Sequence, residues 1–260
     1  MGEKLPREDA ELALECALDI GESMLRTGAE ILRVESTIMR ICQTYGDGIV
    51  DVFTILSLII VSWHPEGGRN ITQSRRIYSY ETDLEKLEEL NALSRYICDK
   101  KPSYAEIKEG VNEIMCRRKK RFSKSRLAGY VLVSSAFAVF FGGNLRDGLA
   151  AGLVGIVLYL WDMLFAKGSR NRVVYSLIIS VVAGLACILS VAAGIGVNTD
   201  KIMIGSIMLL IPGINLMNSL RDMMSGDIIT GILRLAEALM MAVAIAAGFG
   251  LAIMALGGVC

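Results

Sequence analysis

The distribution of charge along this chain constrains its fold more than any other feature. Of 27 Lys+Arg and 27 Asp+Glu, residues 1–126 hold 20 and 21, which leaves 7 and 6 for residues 127–260. The net charge of zero therefore averages over two unlike solvents, water for the first half and lipid for the second. A hydrophobic share of 53% and a mean hydropathy of +0.49 agree with that division. They exclude a single soluble globule, a disordered chain and a small disulfide-stapled secreted domain. Six cysteines (Cys16, Cys42, Cys98, Cys116, Cys187, Cys260) form no C-x-x-C pair, and His64 is the only histidine. Neither a zinc site nor a disulfide framework is expected, and no metal or cofactor is implied. The N-terminus lacks the basic and then apolar pattern of a signal peptide, and Pro6 sits where a myristoylation motif wants Ser or Thr. The first half is expected to stay in the cytoplasm.

Pro6 followed by Arg7-Glu8-Asp9 is a helix start, with acids near the positive end of the helix dipole. Apolar residues at three- and four-residue spacing predict helices on either side of Gly28, the second running to Tyr45-Gly46. Residues 49–63 form a β-rich run, and Gly67-Gly68 is expected to turn the chain into a more polar strand over 70–80. Two further helices follow over 83–101 and 103–115, with Ser103 placed to cap the second and Glu106 three residues on. The expected domain is α+β in the order ααββαα, over residues 1–116. His64, at the end of the apolar strand, has no nucleophile placed beside it by spacing and reads as a solvent-touching strand-end histidine. Gly28, Glu30, Arg33 and Glu35 are the candidate functional residues of this half. Glu30 and Arg33, three apart, make either an exposed ion pair or part of a ligand site.

Between Arg117 and Arg126 seven positive charges occur with no negative one, immediately before an uncharged stretch over 127–143. This run is expected to be a basic juxtamembrane linker (117–126) and not a nucleic-acid patch. Further spans are expected over 148–165, 173–197, 202–220 and 228–260, giving a five-helix transmembrane domain over 127–260. With the first half inside, eleven Lys and Arg flank the inner ends, against Arg146 and Lys201 outside. That asymmetry orients the N-terminus to the cytoplasm and Cys260 to the outer side. Small residues at four-residue spacing, such as Ser180-x-x-x-Gly184 and Ala244-x-x-x-Gly248, predict close packing of these helices with one another or with a partner.

Polar residues at membrane depth cost free energy unless paired or hydrated, so they mark candidate sites. Pro212-Gly213 breaks the fourth span and frees backbone carbonyls. Asn215, Asn218 and Asp222 share one face beyond the break, beside Arg221, and Asp227, Arg234 and Glu237 follow at the start of the fifth span. This polar seam is either a transport path or an ordinary turn with a structural Arg234–Glu237 pair. Asp162, beside Trp161, reads as an interfacial residue, and Asn144, Arg146 and Asp147 as the closure of a tight outer loop.

Two stretches carry a resemblance. Residues 17–35, Ala-Leu-Asp-Ile-Gly-Glu-Ser-Met-Leu-Arg-Thr-Gly-Ala-Glu-Ile-Leu-Arg-Val-Glu, resemble the N-terminal signature of the threonine/serine exporter family. Residues 211–237, containing Pro-Gly, Arg-Asp, Gly-Asp and Arg-x-x-Glu in order, resemble its membrane-domain signature. The resemblance implies a cytoplasmic N-terminal domain and a transporter domain in a bacterial inner membrane. Full-length members carry about twice as many spans, so the chain is similar to the larger component of the split form. Split members work with a small integral-membrane partner subunit, and one such pair is associated with succinate export. An unpartnered homo-oligomer is the alternative assembly.

The expected function is export of a small carboxylate-bearing metabolite, threonine/serine or a dicarboxylate such as succinate, by proton-coupled secondary transport. Arg221, Arg234, Asn215 and Asn218 would bind the carboxylate, with Pro212-Gly213 as irregular backbone. Asp222, Asp227 and Glu237 would exchange protons. Two other readings remain open: a membrane-anchored enzyme with its site in the N-terminal domain, and a non-conducting regulatory subunit.

Overall fold

Pro6 has no N–H to orphan and is held at φ −56°, and it opens α1 (Arg7–Arg26) with Glu8 and Asp9 in the first turn. In the structure, a computed structural model, residues 6–65, 69–117, 122–165 and 171–256 are described. After α1 come α2 (Ile31–Tyr45), the strands β1 (Gly48–Ile55), β2 (Leu58–Pro65) and β3 (Ile71–Arg76), then α3 (Leu84–Lys100) and α4 (Tyr104–Cys116). The remaining helices are α5 (Lys124–Phe140), α6 (Leu145–Phe165), α7 (Arg172–Ala192), α8 (Thr199–Leu210), α9 (Gly213–Met224) and α10 (Ile228–Leu256). The chain divides into two compact units. One comprises Met1–Arg118 with Met217–Arg234, the other Lys119–Leu216 with Leu235–Cys260.

In the first unit the apolar stripe of α1 (Leu14, Leu18, Met24) and that of α2 (Ile31, Val34, Ile38, Ile41) are buried in one core with Ile59, Val61 and Trp63 of β2. Gly21 allows the two helices to approach, because a Cβ there would overlap the Ile38 side chain. The three strands form an antiparallel meander in the order β1-β2-β3. Alternation along β2 buries Ile59, Val61 and Trp63 and half-exposes the residues between them. Ser103 accepts from the Glu106 N–H at 3.4 Å and caps α4, as its spacing led one to expect. Asp83 caps α3 by the same device.

The apolar run over 49–63 is two strands, not one. The chain reverses at Leu56-Ser57, so that Ile55 pairs with Leu58 and Gly48 with Pro65. Neither turn residue is Gly, Pro, Asn or Asp, which is why the reversal left no signal in the sequence. The expected turn at Gly67-Gly68 lies outside the described residues.

In the second unit glycines set the helix spacing. A Cβ at Gly155 would lie 2.7 Å from the Tyr130 carbonyl, and one at Gly248 would lie 2.7 Å from the Leu177 carbonyl and 2.6 Å from Ser180 Cβ. Gly248→Val should therefore force α10 away from α7 and cost about 1–3 kcal/mol. Gly250→Val, which meets open space, should leave the melting temperature in detergent unchanged. Asp147 is fully buried at the start of α6, where Asn144 and Asp147 cap one another reciprocally. Its carboxylate also accepts from the N–H groups of Val197 and Asn198 and from Asn198 Nδ2 at 2.7–2.9 Å. Elsewhere in the unit Asp162 takes Arg126 and the Tyr175 hydroxyl, each at 3.0 Å.

An N-terminal α+β domain followed by five spans is not the architecture that forms. The chain is mostly helical with one small three-stranded sheet, and the unit containing that sheet is completed by residues from α9 and α10. Among the described residues three helices, α6, α7 and α10, are long and apolar enough to cross a membrane. The count rises to four if α8 and α9, bent by 54° at their break, form one span. α5 has 17 residues and rises only about 26 Å, short of a hydrocarbon core of roughly 30 Å. The bend follows from Pro212, which supplies no N–H and ends α8. In the basic linker Arg118, Lys119, Lys120 and Arg121 lie outside the described residues, as do Lys167, Arg170 and Cys260. Arg117 pairs with Glu89 and Glu113 of its own unit.

Candidate functional site

Gly28 ends α1 with φ +97°, a left-handed conformation that a side chain would strain. The Thr27, Gly28 and Ala29 N–H groups satisfy the last carbonyls of the helix. The resulting elbow, Gly28-Ala29-Glu30, leads into α2 with two carbonyls and the Ile31 N–H turned out of both helices. These groups meet the second signature inside the first unit. Asn218 Nδ2 donates to the Gly28 carbonyl at 3.3 Å, and Arg234 donates to the Ala29 carbonyl at 2.8 Å. Asp222 Oδ1 accepts from the Ile31 N–H at 3.4 Å, while Asp222 Oδ2 lies 3.3 Å from the Arg234 guanidinium. Arg221 pairs with Glu30. Residues nearly two hundred positions apart thus form one polar constellation.

The short turn at 225–227 holds this arrangement. Gly226 takes φ +97°, the Asp227 N–H bonds the Asp222 carbonyl at 2.9 Å, and the Asp227 carbonyl accepts from Gly231 at 2.9 Å. Gly231 permits α10 to press on α9, because a Cβ would lie 2.8 Å from the Ser219 carbonyl. The exposures of the two ion pairs differ. Asp222 is 2% and Arg234 6% exposed, whereas the Arg221 side chain is 53% exposed and opens to solvent. The inner pair is therefore costly to break and the outer one cheap.

Glu35 lies one turn further along α2, and its Oε1 accepts from the Thr54 N–H at 2.9 Å. Burial, and then the neighbouring Asp227 charge, push the Glu35 carboxyl above its ordinary value, against the opposing bonds from Thr54. Because the folded value is the higher one, protonation of Glu35 favours the fold. That contribution is present below the ordinary carboxyl value of 4.5 and is lost as pH rises through the raised value. Glu35→Gln should flatten the decline in stability over this range, which thermal unfolding at a series of pH values will show.

Comparison of the sequence with known proteins decides the chain's kinship. Residues 15–256 match the family model ThrE, described as "Putative threonine/serine exporter". The chain belongs to the ThrE family. Among curated ThrE-like proteins, it is 26% identical over 242 residues to a "Probable threonine/serine exporter" of Mycobacterium tuberculosis, covering 90% of this chain and 44% of that one. It is 23% identical over 248 residues to the "Threonine/serine exporter" of Corynebacterium glutamicum, covering 91% and 50%. The chain therefore spans about half the length of the curated relatives it matches. No solved structure matches it.

Within this ThrE chain the sequence candidates separate into groups. Gly28, Glu30, Asn218, Arg221, Asp222 and Arg234 come together in the constellation, with Glu35 and Asp227 beside it. Pro212, Gly213, Asn215 and Glu237 belong to the second compact unit. Within the second unit Glu237 lies 3.7 Å from Arg172. Arg33 is exposed and lines a shallow cavity of about 300 Å³ with Leu87, Asn91 and Arg95. His64 Nε2 sits 3.6 Å from Asp51 across the β1–β2 pairing. Sequence reasoning missed Thr54 and the main-chain groups of Ala29 and Ile31. Main-chain partners carry no residue signature, whereas the Asn144-x-x-Asp147 spacing was a readable cap.

Proposed function

We propose that this ThrE chain exports small carboxylate-bearing metabolites, threonine and serine first among them, across a bacterial inner membrane. The observation that carries the reading is the meeting of the two signatures, which joins the α1–α2 elbow to the helix ends beyond the Pro212 break. Arg221 is the donor most available to a substrate carboxylate, because its partner Glu30 is displaced at little cost. Arg234 holds the Ala29 carbonyl and Asp222, so its role is to fix the elbow that Arg221 faces. The finer elements of the proposal are coupling to protons through Asp222, Asp227 and Glu237, a second small membrane subunit, and succinate-like dicarboxylates as alternative cargo. Concentration of Lys124, Arg126 and Arg172 at the starts of α5 and α7 supports a cytoplasmic placement of those helix ends.

The test is flux of labelled threonine, serine and succinate in proteoliposomes, with and without the candidate small subunit. Concentrative efflux of at least one of them, abolished by collapsing the proton gradient, is the expected result. Absence of flux for all three under both conditions would refute the proposal.

A further inference from the structure

The cavity between α2 and α3 brings together charges that the fold leaves without partners. Arg33 of α2 lines it with Leu84, Leu87, Glu88, Asn91 and Arg95 of α3, and its volume is about 300 Å³. That lies at the lower end of the roughly 300–1,000 Å³ of small-molecule sites. The five α3 residues fall at i, i+3, i+4, i+7 and i+11, on one face of the helix. Glu30, three residues before Arg33, pairs with Arg221 instead. Among the described residues the side chains of Arg33, Arg95 and Glu88 make no hydrogen bond or ion pair. Asn91 Nδ2 donates to the Leu87 carbonyl at 2.8 Å, which fixes the amide and leaves its Oδ1 as an acceptor. The lining thus offers two cations, one carboxylate and one amide oxygen, beside the apolar surface of Leu84 and Leu87.

We propose that this cavity binds a zwitterionic α-amino acid, with its carboxylate on Arg33 and Arg95 and its ammonium on Glu88 and Asn91 Oδ1. Guanidinium groups are suited to a carboxylate, and each charge of the zwitterion meets its opposite in the lining. A dianion such as succinate or phosphate would set its second charge against Glu88. None of these four residues belongs to the constellation, so this is a second site. Its place gives it a hold on the first. The N–H groups of Glu81 and Asp83, just before α3, bond the Arg26 and Thr27 carbonyls at 2.7 and 3.0 Å. A ligand spanning α2 and α3 therefore stiffens the elbow whose carbonyls Asn218 and Arg234 hold. The binding claim stands by itself, whereas regulation of export through the elbow rests on the export reading.

The experiment is modification of the purified full chain in detergent by phenylglyoxal, an arginine reagent, with the reacted positions read by mass spectrometry over a range of L-threonine concentrations. Threonine should protect Arg33 and Arg95 at one shared half-protecting concentration and leave Arg40, exposed on α2 outside the cavity, unprotected. 2,3-Dihydroxybutyrate, which lacks the ammonium, and threonine methyl ester, which lacks the carboxylate charge, should each need at least fivefold more. Glu88→Gln alters an exposed side chain and should keep the melting temperature while raising the half-protecting concentration of threonine at least threefold. Protection of Arg40 to the same degree, wild-type protection in Glu88→Gln, or protection by succinate or phosphate at lower concentration than threonine overturns the site. Arg221 reports on the constellation in the same samples. Protection of Arg221 without Arg33 and Arg95 overturns the site and leaves the export reading standing. Protection of Arg33 and Arg95 with the expected losses, but no flux of any substrate, sustains the site and overturns export.

Discussion

Asp222→Ala should destabilise the first compact unit by about 3–5 kcal/mol, because it strands a buried charge. Arg234 would keep only the Ala29 carbonyl as an acceptor, and the Ile31 N–H at the start of α2 would lose its partner. The loss exceeds what the pair itself contributes to stability. Desolvating two charges offsets most of their attraction, so joint replacement by apolar residues, Asp222→Leu with Arg234→Met, should cost less than Asp222→Ala alone. Chemical unfolding in detergent of Asp222→Ala, of the single variants Asp222→Leu and Arg234→Met, and of their double variant measures this directly. Additive losses would show that Asp222 and Arg234 do not act as a unit. Arg221→Ala in the same assay should cost under about 1 kcal/mol, since its pair with Glu30 is half in solvent.

A loss of similar size is expected in the second unit from Asp147→Ala. Four donors point at that carboxylate: the N–H groups of Asn144, Val197 and Asn198, and Asn198 Nδ2. Removing it at a position with no exposure should cost about 3–4 kcal/mol, with each stranded donor taken near the low end of roughly 1–3 kcal/mol. Asp147→Asn preserves the shape but turns one acceptor into a donor aimed at other donors, so it should recover little. The melting temperature of both variants, with wild-type threonine affinity for whatever fraction remains folded, would show that Asp147 ties the 144–147 and 197–198 loops and has no part in the site.

Helix periodicity, the caps at Ser103 and Pro6, and the polar residues around 218–237 were legible because each depends on local spacing. The hairpin inside 49–63 was not, since its turn residues, Leu56 and Ser57, look like strand. The span count failed for a related reason. Hydropathy marks apolar stretches, but it does not say that Lys124–Phe140 forms only 17 helical residues or that Pro212 bends its stretch by 54°. For the site, residue identity pointed at both halves of the constellation without indicating that they meet. Their meeting rests on main-chain groups of Gly28, Ala29 and Ile31, which any residue could provide. Spacing along one helix face pointed from Arg234 to Glu237 and not to Asp222 on the preceding helix, whose buried carboxylate lies 3.3 Å from the buried Arg234 guanidinium.

The account stands most directly on whether the outer face of the constellation handles substrate. Efflux of labelled threonine from proteoliposomes should be compared between the wild type and Asn218→Ala/Arg221→Ala, with the candidate small subunit present in both. Loss of at least tenfold in rate with an unchanged melting temperature is the predicted result. Wild-type flux in the double variant would contradict it.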